Sequence, residues 1–307
     1  MNLLVGATGF VGGHVVEYLF QQGEISKGVF RKGSHLKTMD ANGVQCLEAD
    51  LLDHHSLHEA MEGVDIVYNL ASPMPGSDTD FQRVNTEGLL NLLEVSTESK
   101  TKAFVHLSTI EIFGFGAGKV TSASSPHPTN EYQKSKAEAE RILLEFAKRK
   151  PEPRVVIIRS AKAVGSRDES MVVPILKMLG SGKVVVPRAG VMSFSHPRDI
   201  AQAMFRAASG TFPSGSIFQM KSFDSTVDEL ARAIVAAVGA RADVKGQGML
   251  SGSQFPKYAT EEIRASLFLE EQTNLKQLGY EPQYSLKATG EEIASWYRRE
   301  PWSAGRE

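Results

Sequence analysis

The sequence contains one cysteine, Cys46, among its 307 residues. A lone thiol excludes an intramolecular disulfide framework and a cysteine-rich metal site, and it suits a reducing compartment, so the cytoplasm is the expected location and no metal is expected. Long apolar runs are also missing. Ala233 to Ala240 is typical of the longest, far below the roughly 18–20 residues that cross a bilayer. Met1 leads directly into a strand-like segment, so neither a signal peptide nor an anchor is expected. An excess of one charge is the third absence: 34 basic residues face 36 acidic ones, a net charge of −2. That balance argues against nucleic acid or an anionic membrane as a partner and leaves a small-molecule substrate, with a homodimer as one possible assembly.

What is present is an ordinary globular composition, 41% hydrophobic and 23% charged, on a chain long enough for one large α/β domain or a domain with an added lobe. Apolar runs at Met1–Val5, Gly28–Arg31, Val44–Ala49, Asp65–Leu70, Ala103–Ser108 and Val155–Arg159 read as strands. Helical spacing falls between them at Gly12–Gln22, Ser56–Met61, Phe81–Glu98 and Glu131–Lys150. Strands alternating with crossover helices predict a doubly wound parallel sheet of the Rossmann type. After Arg159 the rhythm breaks into shorter elements, with helical segments at Val227–Val238 and Glu291–Arg299. The expected organisation is therefore a dinucleotide-binding domain over residues 1–165 and a smaller substrate lobe over 166–307, with part of the latter, near 215–220, returning to the sheet.

Directly after the first strand stand Gly6, Ala7, Thr8, Gly9, Phe10, Val11 and Gly12. Glycines at this spacing let the backbone turn tightly and approach a pyrophosphate, which the N–H groups of the following helix then hold. Gly6, Thr8, Gly9, Phe10, Val11 and Gly12 are the candidate phosphate contacts. At the end of the second strand an acid would bind a free ribose 2′-hydroxyl, whereas this chain has Arg31 and Lys32. A guanidinium fork suits a 2′-phosphate, so NADP is favoured and NAD remains possible. Asp50 and Leu51, at the end of the third strand, are placed to meet the adenine, and Asp50 serves equally well as a helix cap.

Tyr132 and Lys136 stand four residues apart at the start of a helix and share one of its faces. A neighbouring ammonium stabilises a phenolate, which lets a tyrosine exchange a proton with a carbonyl or alcohol oxygen. Of the seven tyrosines, only Tyr132 is followed by a lysine at this spacing.

This combination of a glycine-rich first turn with a later tyrosine–lysine pair resembles the extended short-chain dehydrogenase/reductase superfamily, and the resemblance runs nearly end to end. It implies a NAD(P)-dependent enzyme. Asp65 to Ser72 is similar to the superfamily's fourth strand and the turn beside the nicotinamide ribose, which makes Leu70 and Ala71 cofactor contacts. Asn85, within Val84-Asn85-Thr86-Glu87-Gly88, is implied to support the active site, and Thr109 is implied to be the substrate-polarising hydroxyl, with Ser108 before it. Arg159-Ser160 departs from the usual arginine–proline. His196 and Asp199 are expected to be structural, and Leu278 to Pro282 with Trp296 to Arg298 extend the resemblance through the last lobe.

Ile110-Glu111-Ile112 and the run after Tyr132 resemble the dihydroflavonol-reductase and 3β-hydroxysteroid-dehydrogenase branches, which implies a carbonyl reductase or alcohol dehydrogenase acting on a hydrophobic substrate. Two alternatives stand beside it. One is a sugar-nucleotide epimerase or dehydratase, for which Arg167, Lys183 and Arg188 could supply a diphosphate clamp. Dehydratases of the superfamily have an Asp-Glu pair after the threonine, and here Ile110 replaces the acid. The other alternative is a non-catalytic dinucleotide sensor, which would be expected to have lost Tyr132 or Lys136.

Overall fold

The structure, a computed structural model, describes residues 1–73, 81–121, 123–247, 254–272 and 275–299. The last residues of the expected second unit lie outside them. The first five strands are β1 (Asn2–Val5), β2 (Ser26–Phe30), β3 (Gln45–Glu48), β4 (Ile66–Asn69) and β5 (Ala103–Thr109). Two further strands, Arg154–Ser160 and Ser216–Met220, complete a seven-stranded sheet. Every pairing in it is parallel. From one edge the order is β3, β2, β1, β4, β5, Arg154–Ser160, Ser216–Met220. The direction of travel reverses between β1 and β4, and ligands of such sheets bind outside the carboxyl ends of the strands at that reversal. The doubly wound Rossmann sheet expected from the alternating pattern is the fold observed.

The strand sequences show why both faces are covered. Leu3 and Val5 lie in the core on one face with Val67, Phe104, Val155 and Ile157. Leu4, Tyr68, Val105, Val156 and Ile158 lie in the core on the other. Alternate residues point to opposite faces, so an unbroken apolar run requires helices on both sides. Helices α1 (Phe10–Gln21), α2 (Lys37–Ala41), α3 (His54–Ala60), α4 (Gly88–Glu98) and α5 (Glu131–Arg149) supply part of that cover. Each leucine, valine or isoleucine buried in these layers stabilises the fold by about 1.5–3 kcal/mol relative to exposure.

Several boundaries differ from those read off the sequence, three of them in helices. The first helix begins at Phe10, with Gly9 as its cap, so Gly12 lies inside the first turn. Phe81–Glu98 is not one regular α-helix, because Arg83–Glu87 forms a π-turn ahead of α4. The last helix begins at Leu286, before Glu291.

The chain beyond Ser160 also builds a second cluster of small sheets. Lys162–Ala163, Met192–Ser195 and Phe223–Ser225 form one, Lys183–Pro187 pairs with Asp243–Gln247, and Phe268–Leu269 pairs with Lys119–Val120. Val164, Val184, Phe194, Leu230, Ile234 and Ile293 fill its core. The helix Val227–Val238 starts with a reciprocal cap between Thr226 and Glu229 and stops at Gly239 in the left-handed conformation. Among the described residues, no helix is long and apolar enough to cross a membrane.

Candidate active site

The turn between β1 and α1 is shaped by what its glycines lack. A Cβ on Gly12 would stand 2.0 Å from the carbonyl oxygen of Gly6, and Gly6 itself has a φ of +89°. A Cβ on Gly6 would stand 2.8 Å from the backbone nitrogen of Ala71. The loop is thereby pressed against the end of β4, at the strand-order reversal. Gly9 caps α1 with no side-chain hydrogen bond, and the first turn of α1 carries no acid. Thr8 and Gly9 are exposed, and Phe10 and Val11 half-buried. The free N–H groups and the positive end of the helix dipole fit a pyrophosphate.

Around this turn the other candidate contacts fall in place along the strand ends. Arg31 and Lys32 directly follow β2 and are both exposed. Asp50 is also exposed, and its Oδ1 accepts the N–H of Leu52 at 2.9 Å. The cap of α3 is Asp53, not Asp50. Leu51 is buried against the Gly88 end of α4. The N–H of Leu70 is taken by the carbonyl of Val5 and that of Ala71 by Oδ1 of Asn69. Neither of these two N–H groups is therefore free to meet a ribose.

Tyr132 is the second residue of α5, whose cap, Asn130, accepts the N–H of Gln133 at 2.8 Å. Its ring meets Phe81 edge-on, with centroids 5.5 Å apart. Burial holds the phenol well above its usual range, and the carboxylates of Glu111 and Glu262 push it further in the same direction. Lys136, one turn on, is buried, and its Nζ donates to the carbonyl of Leu107 at 2.6 Å. Burial lowers Lys136 to about 8, with Glu140 opposing. Leu107 and Thr109 lie two apart on β5, so the lysine is anchored at the strand end that carries the threonine.

Thr109 and Ser108 have separate tasks. Thr109 Oγ1 accepts the N–H of Glu111 at 3.1 Å, which leaves its own proton free to be donated. Ser108 donates to Glu140, whose carboxylate is gripped by the guanidinium of Arg159 at distances down to 2.6 Å. The threonine is thus the hydroxyl of this pair that can polarise a bound oxygen. Asn85, in the π-turn, donates to Ser135 Oγ at 2.9 Å, and Ser135 donates to the carbonyl of Tyr132 at 2.8 Å. It touches the helix that carries the tyrosine, not the open site.

A buried polar cluster beside this group escapes sequence reading. Glu111 is 8% exposed, and its Oε2 has no partner. It lines a small cavity of about 10 Å³ with Lys162, Ser193 and Glu262, and Lys162 is ion-paired with Glu262. Burial pushes Glu111 up to about 8, assisted by Glu262 and opposed by Lys162. Glu262 comes from a helix 151 positions further along the chain than Glu111, and no local pattern announces it.

His196 caps the helix Pro197–Ser209, stacks on Tyr284 with centroids 3.6 Å apart, and faces Glu292 at 3.5 Å. Asp199 accepts the N–H groups of Gln283 and Tyr284 at 3.0 and 3.2 Å. Arg167 is held by Glu17 at 2.8 Å, while Lys183 and Arg188 are exposed at the two ends of one lobe strand. Half-buried His54 and exposed Glu94 and Glu98 approach one another as metal-ligand types, with His54 Nε2 3.8 and 3.9 Å from the two carboxylates.

Comparison with known proteins bears on the fold and the family. N-acetyl-alpha-D-glucosaminyl-diphospho-ditrans,octacis-undecaprenol 4-epimerase of Escherichia coli O157:H7 is 29% identical over 61% of the chain and 56% of its own length. Sterol demethylase protein B of Methylococcus capsulatus is 28% identical over 65% of the chain and 63% of its own length. The matched part thus spans less than two thirds of either relative. The UDP-glucose 4-epimerase of Thermotoga maritima, at 22% identity, superposes with a TM-score of 0.82 over 98% of this chain and all of that one, and so shares the fold. The sequence profile of the NAD dependent epimerase/dehydratase family matches residues 2–219, from β1 through the seventh strand of the sheet, and the chain belongs to that enzyme family, within the extended short-chain dehydrogenase/reductase superfamily.

Proposed function

We propose that this protein is a NADP-dependent oxidoreductase that interconverts a hydroxyl and a carbonyl on a hydrophobic small molecule. The observation that supports the reading is that Lys136, one turn after Tyr132 on α5, is anchored to Leu107, two residues before Thr109 at the end of β5, while a turn shaped for a dinucleotide follows β1. A bound nicotinamide would supply hydride chemistry and, when oxidised, a positive charge that favours phenolate. The chain's own residues do the rest. Thr109 donates to the substrate oxygen, Tyr132 gives or takes the proton, Lys136 supports the phenolate, and Asn85 positions α5 through Ser135.

Two features favour an apolar substrate. Ile110, Phe115, Met192 and Leu267 make up the apolar half of the lining of the small cavity beside Glu111, and the one cation in that lining, Lys162, is already engaged by Glu262. The name of the Methylococcus relative points to a sterol. Epimerisation of a sugar attached to a diphosphate is the second reading, supported by the name of the Escherichia coli relative. A panel of hydrophobic ketones and sugar nucleotides, offered with NADPH, separates the two. Stoichiometric NADPH oxidation with a ketone supports the first, whereas sugar epimerisation without net cofactor consumption supports the second.

NADPH is expected to bind more tightly than NADH, because Arg31 and Lys32 follow β2 where an acid would repel a 2′-phosphate. Arg31→Ala should weaken NADPH by roughly ten- to a hundredfold, the worth of one charge-assisted contact of about 1.5–3 kcal/mol, and leave NADH nearly unchanged. Fluorescence titration reads both affinities, and parity of the two cofactors in the parent protein would refute the preference. Gly12→Ala tests the turn itself. Its Cβ must displace the Gly6 carbonyl, so dinucleotide binding should be lost and stability should fall by about 1–3 kcal/mol. Parental affinity in that variant would mean that the turn is not the phosphate cradle.

A further inference from the structure

Glu111 takes no part in the proton chemistry assigned above, although it stands two residues after the hydroxyl that polarises the substrate. Its N–H is held by Thr109 Oγ1 at 3.1 Å. The carboxyl is buried, lines the cavity of about 10 Å³ shared with Lys162, Ser193 and Glu262, and has no partner for its Oε2. A cavity of that size has room for about one water-sized group. The other polar side chains of the lining are occupied. Lys162 pairs with Glu262, and Ser193 Oγ donates to Asp224 at 2.5 Å while it accepts the N–H of Leu269 at 2.9 Å. A buried polar atom without a partner costs free energy, and a ligand oxygen beside Glu111 would supply the partner.

We propose that Glu111 is a specificity residue: with Lys162 and Glu262 it forms a subsite for one uncharged oxygen group, a hydroxyl or a second carbonyl, carried by the substrate close to its reacting carbon. The inference rests on the reading of the chain as an oxidoreductase and narrows its substrate from an apolar carbonyl compound to one that bears a second neutral oxygen. Size sets the first limit, since the cavity takes a hydroxyl and is too small for a phosphate. Charge sets the second. Lys162, despite its burial, is held charged chiefly by Glu262 and then by Asp168, so no positive charge is left over for a substrate carboxylate, and Glu262 would repel one. Burial, with Glu262 adding to it, pushes Glu111 up to about 8, so at neutral pH the side chain offers both an O–H to donate and an oxygen to accept. Position sets the third limit. After burial, Glu111 and Glu262 are the groups that push the phenol of Tyr132 upward, which places the subsite beside the proton donor. A substrate without the oxygen would press carbon against the Glu111 carboxyl.

The test compares ligands of one carbon skeleton. Cyclohexanone, the cyclohexanones with a hydroxyl on each ring carbon and those with a carboxylate at the same carbons are offered with NADPH to the parent, Glu111→Gln and Glu111→Leu. In the parent, one hydroxyketone should exceed cyclohexanone in kcat/KM by about ten- to a hundredfold, and no carboxylate should. Glutamine retains a donor and an acceptor at this place, so the preference should persist in Glu111→Gln, whereas in Glu111→Leu it should fall to near parity. Calorimetry with cyclohexanol and the matching diols, on protein saturated with NADP, reads the same subsite without turnover. A diol preference that Glu111→Leu abolishes, with no ketone consumed, would leave the subsite standing and refute the oxidoreductase reading alone. A preference undiminished in Glu111→Leu would overturn the proposal. So would hydroxyketones and diols no better than their parent compounds, or a carboxylate preferred to both, and these outcomes are read in the parent protein with no variant having to fold.

Discussion

Tyr132→Phe is expected to lower kcat/KM by about 10²–10⁴, the usual worth of a positioned general acid or base, while dinucleotide affinity stays within a few-fold of the parent. The ring that packs edge-on against Phe81 is retained, so the loss falls on the proton and not on the shape of the site. Burial and the neighbouring carboxylates keep the free phenol protonated, which suits the reducing direction, where Tyr132 gives its proton to the nascent alkoxide. Lys136→Met should lower kcat/KM as well and should also weaken dinucleotide binding. Steady-state kinetics on a ketone that consumes NADPH, together with fluorescence titration of the cofactor, separates the two variants. Near-parental turnover in Tyr132→Phe would remove the tyrosine from the mechanism.

The second large effect is expected in stability. Arg159 and Glu140 form a bidentate pair, 13% and 4% exposed at the side chains, that also receives Ser108. It binds α5 to the strand Arg154–Ser160 and to the end of β5, the two supports on which Tyr132, Lys136 and Thr109 depend. Arg159→Met leaves the Glu140 carboxylate buried with Ser108 as its remaining donor, and such half-broken pairs cost about 3–5 kcal/mol. Removal of both charges in Arg159→Met/Glu140→Leu should restore most of the lost stability, because no buried charge is then uncompensated. Urea denaturation of the four proteins gives the coupling directly. Simple additivity of the two single losses would show that the pair acts as two independent contacts.

Much of the fold was legible because it depends on neighbours in sequence. The alternation of apolar strands with crossover helices follows from a two-sided parallel sheet, and it placed β1, β2, β3, β4 and β5 to within two residues at either end. The glycine turn and the Tyr132–Lys136 spacing are local for the same reason, since a loop and one helical turn bring their members together whatever the rest of the chain does. The late lobe was less legible, because its strands are short and its sheets join segments such as Lys183–Pro187 and Asp243–Gln247. Periodicity over two to five residues cannot distinguish such strands from loops.

The amino-acid sequence by itself determined the sheet, the phosphate turn and the helix face that carries the tyrosine and lysine, all of which rest on interactions a few residues long. Tertiary structure alone decided which of two adjacent hydroxyls remains free. Ser108 is drawn into the Arg159–Glu140 pair while Thr109 turns back on its own backbone. It also decided that Glu111 meets Lys162 and Glu262, and that Asn69, His106 and Lys136 form one line. Buried polar groups must find partners wherever the fold brings them, and those partners come from strands and helices tens of residues apart, where no spacing rule reaches.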